Sequence, residues 1–183
     1  MTDEEIAAIA KSQATVVLCP STEGNLGDGI FPLRTFQEAG GNWSIGTDSH
    51  IGLNPFEELR ILDYGQRLTS HQRNTFTDIQ QADSGLYALE KLVFNGRKAT
   101  GQKTANFFTI GQALNALVLD AAHPILAVCS LKNLASTIVY ATDVSMHLGT
   151  MIEGKWVIKK GRHLAERSIK KDFTNALKKL NNR

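Results

Sequence analysis

The chain lacks an apolar run long enough to span a membrane, and its first residues, MTDEEIAAIA, carry acids where a secretory signal carries bases. Neither a membrane span nor a signal peptide is expected. Cysteine is scarce: Cys19 and Cys129 are the only two in 183 residues, and they stand far apart. That excludes a disulfide scaffold and a cysteine zinc cluster, and a reduced, cytoplasmic protein is the expectation. Excess charge is small. A net charge of +2 is too mild to call for a nucleic-acid partner, and no membrane partner is expected. There is no G-K-[ST] phosphate loop, no H-x-H and no H-E-x-x-H. Repeats and low-complexity tracts are absent as well. What remains is an ordinary globular composition, 42% hydrophobic and 21% charged. Such a chain can bury the core of one domain, or of one domain with a small appendage.

The first 70 residues alternate. Thr2 and Glu5 form a capping box ahead of the stripe Ile6, Ala7, Ile9 and Ala10, so a helix starts almost at once. ATVVLCP, from Ala14 to Pro20, reads as a buried strand stopped by proline. STEGNLGDGIF reads as a loop. PLRTFQEAGG, Pro32 to Gly41, reads as a helix, and WSIGTD as a second buried strand. Asn54-Pro55 then opens a helix to about Leu68, with Glu57 and Glu58 in its first turn. This order predicts an α/β fold with parallel strands, whose chemistry sits in the loops after the strand C-termini.

Further on the pattern changes. Residues 71–83 are polar and read as a connection. Residues 84–100 read as a helix with Leu86, Leu89, Leu92 and Val93 on one side, which Asn95-Gly96 ends or interrupts. ALNALVLD, Ala113 to Asp120, reads as a strand. Val144 to His163 reads as a β-hairpin turning at Glu153-Gly154. The last segment reads as an amphipathic helix that turns Ile169, Phe173, Ala176, Leu177 and Leu180 inward. Its many lysines fall opposite that stripe and read as a solvated face.

The candidate site residue is Asp48, at the end of the second strand. A carboxylate there either caps the following turn or binds a metal and takes a proton from bound water. Asp48 and His50 are two apart and would share a face of an extended strand, a spacing open to zinc. Two ligands do not make a site. His71, His123, His147 and His163 read as surface or structural histidines. Glu23 and Asp28 lie in the glycine-rich loop, where the glycines allow either close approach of a substrate or a tight path. Cys19 reads as packing, since no basic residue stands near it in sequence.

Three stretches together resemble a known family: LCPSTEGNLGDGIFP, GGNWSIGTDSH and EELRILDYGQRL. They look like the C-terminal half of N-formimidoyl-glutamate deiminase, of the amidohydrolase superfamily, and the likeness covers nearly the whole chain. Related aminohydrolases such as guanine deaminase share the C-P-[ST] loop and the G-T-D strand end. They usually carry S-N where this chain has Thr22-Glu23. The resemblance implies a C-terminal fragment of a (β/α)8 barrel plus part of a small β-sandwich. Residues 14–19 and 43–48 would be the seventh and eighth strands. Residues 1–103 would be barrel, 104–163 sandwich and 164–183 a C-terminal helix. One departure is visible: relatives usually read A-D-L-V at Asn115 to Val118, and the acid is missing here.

By the same resemblance, Asp48 would be both a Zn²⁺ ligand and the proton acceptor in the hydrolysis of N-formimino-L-glutamate. The family's zinc histidines lie on its first and fifth strands, with a further catalytic histidine on the sixth, and this chain would contain none of them. Zinc retention by this chain alone is therefore not expected. The implied partner is the N-terminal half of the barrel or a second copy of the chain. Other readings stay open: a non-catalytic folded interaction or assembly module, an aminohydrolase of guanine-deaminase type, or two copies joining Asp48 and His50 around one metal.

Overall fold

The computed structural model describes residues 1–73, 75–102 and 108–182. They fall into two compact units. The first takes residues up to 106 together with 122–143, and the second takes 107–121 and 144–183. Residues 122–143, placed with the β portion by the sequence, thus contact the α/β unit.

The first unit opens with α1 (Asp3–Ser12). Its capping box is formed: Thr2 Oγ1 accepts from Glu5 N, and Glu5 Oε2 accepts from Thr2 N at 2.7 Å. Strands β1 (Thr15–Leu18) and β2 (Asn42–Ile45) pair in parallel, with Leu18 opposite Ile45. Between them run α2 (Pro20–Leu26) and α3 (Leu33–Glu38). After β2 come α4 (Pro55–Ser70), α5 (Ser84–Ala99), α6 (Pro124–Ala127) and α7 (Leu134–Ala141). Asn54 caps α4, its Oδ1 accepting from Phe56 N at 3.1 Å.

The core lies where the helices meet the two strands. Leu33, Phe36, Trp43, Leu59, Phe76 and Val139 are fully buried there. Trp43 stacks on Phe76 with ring centroids 5.3 Å apart. Three expectations are corrected here. The stretch after Cys19 is not a loop: Pro20 starts a helical turn, and α2 runs to Leu26 before Gly27 ends it at φ 77°. Pro20 presets the first helical φ and Glu23 folds back on the Cys19 N–H, which outweighs the glycine at 24. Nor do Asn95 and Gly96 interrupt α5. Asn95 Nδ2 donates to Trp43 O at 2.8 Å, and a Cβ at Gly96 would stand 3.0 Å from Ser44 Oγ. The pair is spent on bringing α5 close to β2.

The second unit is a four-stranded antiparallel sheet in the order β3-β4-β5-β6. Its strands are β3 (Ala116–Leu119), β4 (His147–Ile152), β5 (Lys155–Lys159) and β6 (Arg162–His163). Glu153 and Gly154 both have positive φ, 50° and 75°, as a tight two-residue hairpin turn requires. Lys160-Gly161 repeats the device at 51° and 70° and adds β6, which the sequence reading did not separate. The chain closes with α8 (Glu166–Asn181). Here is the third correction. Ile169, Phe173, Leu177 and Leu180 were expected to face inward, yet no residue of α8 is buried. Amphipathic patterning makes the stripe but does not provide the surface to cover it.

Candidate active site at the ends of the parallel strands

Because β1 and β2 are parallel and in register, their C-termini finish side by side. Gly46 N donates to Leu18 O at 2.9 Å, which carries the pairing one residue past β2. A Cβ at Gly46 would stand 3.2 Å from Cys19 Sγ, so the glycine makes room for the thiol.

Beyond Gly46 the chain turns. His50 N donates to Thr47 O at 3.2 Å, and Asp48 sits at φ 47°. Aspartate tolerates this left-handed conformation better than most residues. The turn corrects the expectation that Asp48 and His50 share one strand face, because β2 has already ended at Ile45. His50 Nδ1 accepts from Gly52 N at 3.0 Å, so only Nε2 is left to meet anything else. Asp48 is exposed.

Buried Thr22 ties α2 to this turn. Its Oγ1 donates to Thr47 O at 3.1 Å and accepts from His50 N at 3.2 Å. Two more carboxylates flank the strand end. Glu23 Oε1 accepts from Cys19 N at 2.6 Å, and the buried Glu58 accepts from Ser21 N through Oε2 at 2.9 Å. Burial first, then the negative charges of Asp48 and Glu23, push the Cys19 thiol above its ordinary range, against a lowering contact from the Gly46 backbone. A thiol held in that form is a poor nucleophile, in keeping with its reading as packing. Thr22 and Glu58 are site residues that residue-by-residue reading missed. Glu58 was taken for a first-turn acid, and nothing in its spacing shows that it reaches back to α2.

The donor set does not amount to a zinc site. Among the described residues no three of His, Cys, Asp and Glu are grouped so as to hold a metal ion. Three of the other four histidines serve locally. His71 ends α4 at φ 56°, and His163 Nδ1 accepts from Ala165 N at 3.0 Å. His123 caps α6. Two clefts of about 230 and 300 Å³ share Glu23 and Phe31 beside the end of β1, and the first is also lined by Leu18 and Asp28.

Comparison with known proteins agrees with this architecture. No family model matches the chain. A formimidoylglutamate deiminase of Pseudomonas aeruginosa is 38% identical over 176 residues, which are 96% of this chain and 39% of that protein. An amidohydrolase from Brucella melitensis superposes with a TM-score of 0.84 at 29% identity, over 98% of this chain and 39% of that one. The chain is an amidohydrolase segment. It corresponds to a C-terminal fragment of the barrel with part of the β-sandwich, and it spans about two-fifths of the length of these relatives. An adenosine deaminase from Xanthomonas campestris, solved with bound zinc, has the same fold, with a TM-score of 0.73 at 20% identity over 98% of this chain and 41% of that one. In sequence the segment is similar also to a 5-methylthioadenosine/S-adenosylhomocysteine deaminase of Thermococcus sibiricus, 28% identical over 86% of this chain and 36% of that protein. No helix among the described residues is long and apolar enough to cross a membrane.

Proposed function

We propose that the segment supplies the last two barrel strands and the Asp48 carboxylate of a formimidoylglutamate deiminase. The observation that carries this is the 38% identity sustained over 96% of the chain. In the reaction, water adds to the formimino carbon of N-formimino-L-glutamate, and the bond to the terminal nitrogen breaks. Ammonia leaves and N-formyl-L-glutamate remains. Asp48 takes a proton from the attacking water and returns one to the departing nitrogen. Its place at the C-terminal end of a parallel strand, where such barrels keep their chemistry, supports the role.

The segment does not complete the site alone. Asp48 is the single zinc ligand it offers, and its own donors do not hold the metal. The partner in this reading is the remainder of the barrel. One feature supports that. Strands β1 and β2 pair with each other only, so each has an outer edge without a strand partner among the described residues.

The test is ammonia release from N-formimino-L-glutamate, with zinc present, by the chain alone and by the chain mixed with a polypeptide carrying the first six strands. No release alone, and release from the mixture that Asp48→Asn abolishes, is expected. Turnover by the chain alone overturns the need for the rest of the barrel, and turnover by the Asp48→Asn mixture overturns the role given to Asp48. Release from adenosine but not from the formimino substrate moves the reading to a nucleoside deaminase.

A further inference from the structure

Helix α8 carries an apolar stripe that stays about half exposed among the described residues. Ile169, Phe173, Leu177 and Leu180 are 51%, 63%, 43% and 57% exposed. Ile169, Phe173, Ala176 and Leu180 advance by four, three and four residues, the alternating step of a two-helix seam. Beside that seam stand Asp172 and Lys179 on one flank, and Lys170 and Leu177 on the other.

The order of these residues selects a partner. When the helix is laid antiparallel on another copy of itself, Ile169 faces Leu180 and Phe173 faces Ala176 of the second copy. Each layer then sets large against small or branched against branched, the condition for filling a seam without clash. The same alignment brings Asp172 beside Lys179 of the second copy. Two-fold symmetry makes that pair twice. The stem of Lys170 meanwhile covers Leu177. A parallel pairing does none of this: Phe173 would meet Phe173, and Asp172 would lie against Leu177. An anionic membrane is a poorer match, because Asp172 sits beside the apolar stripe while Lys171 and Lys178 point away from it.

We propose that α8 is a self-association surface, on which a second copy of the chain docks its own α8 antiparallel, with Phe173 against Ala176 and Asp172 against Lys179. A seam of two helices about 24 Å long lies at the small end of specific interfaces. The association is therefore weak and concentration-dependent. The proposal uses no residue of the deiminase site.

Sedimentation velocity of the full chain over a concentration series tests it. The wild type is expected to shift from monomer to dimer as concentration rises. Phe173→Asp is expected to stay monomeric. D172K and K179D, each alone, place like charges opposite one another and weaken the dimer by roughly tenfold. Mixed in equal amounts, those two variants restore it, because both flanking pairs become complementary again. The mixture keeps the test valid even if Phe173→Asp fails to fold, which circular dichroism reports. The proposal is overturned if the wild type stays monomeric throughout, or if a dimer survives Phe173→Asp and so uses another surface, such as the strand edges. It is overturned equally if the mixture is no tighter than its components, or if the wild type binds phosphatidylserine vesicles through α8 as a monomer.

Discussion

The hydroxyl of Thr22, on α2, reaches the carbonyl oxygen of Thr47, after β2, at 3.1 Å. Thr22 Oγ1 in turn accepts from the His50 N–H at 3.2 Å. One buried side chain thus holds both ends of the turn that presents Asp48. Thr22→Val keeps the shape and removes the hydroxyl, so that the Thr47 carbonyl and the His50 N–H keep only their mutual bond at 3.2 Å. A loss of about 0.5–1.5 kcal/mol is expected. Hydrogen exchange at the His50 amide should quicken well beyond any change in the core of α4, and equal quickening at both would mean a general rather than a local loss.

Asp63 and Arg67, one turn apart on α4, form an ion pair at 2.5 Å, with Asp63 fully buried. Tyr140 on α7 donates to Asp63 Oδ2 at 2.8 Å, and the guanidinium lies 5.5 Å from the ring centroids of both Tyr64 and Tyr140. Removing only the cation strands a buried carboxylate. Arg67→Leu should therefore cost about 3–5 kcal/mol, and adding Asp63→Leu should recover much of it. Urea unfolding of the two variants decides the matter: a double variant worse than the single would contradict this account.

Burial, and next the charge of Asp78, push the Tyr87 phenol up to about 12, against a lowering contact with Trp43. Tyr140 is raised as well, by burial and then by its bond to Asp63. A raised phenol favours the protonated, folded form. Its contribution to stability is complete below the ordinary tyrosine pKa of about 10 and is lost as pH climbs from there through the folded value. The tyrosine share of thermal stability should hold level to about pH 10 and then fall. Tyr87→Phe should make that decline shallower; an unchanged slope would remove Tyr87 as a cause.

Gly85 opens α5 where α7 crosses it. A Cβ there would lie 2.4 Å from the Cα of Ser136, a backbone atom that has nowhere to go. Gly85 N also donates to Ser136 Oγ at 3.1 Å, and that hydroxyl donates to Asp83 Oδ1 at 2.9 Å. Gly85→Ala should destabilise by about 1–3 kcal/mol or more despite the better helix propensity of alanine. A stabilised variant would show that α7 can retreat.

Much of the local architecture was legible because neighbours in sequence create it. The Thr2–Glu5 box, the Asn54 cap and the Glu153-Gly154 turn each involve residues within four positions of one another, so their chemistry can be read directly. The parallel alternation around β1 and β2 was legible for a similar reason. Helix α2 was missed because a proline start and a glycine at 24 resemble loop composition. The Asn95-Gly96 pair was misread because its use lies on another element, 52 residues away at Trp43.

By itself the sequence determined the α/β character of the segment, which rests on residue types and short spacings, and its motifs carried the resemblance to amidohydrolases that the relatives bear out. Tertiary structure alone decided that Thr22 and Glu58 brace the candidate site, that residues 122–143 pack with the first unit, and that the apolar side of α8 stays open. The physical reason is range. Caps, turns and periodicity act within a few residues, whereas burial and hydrogen bonds between elements depend on surfaces that only folding brings together.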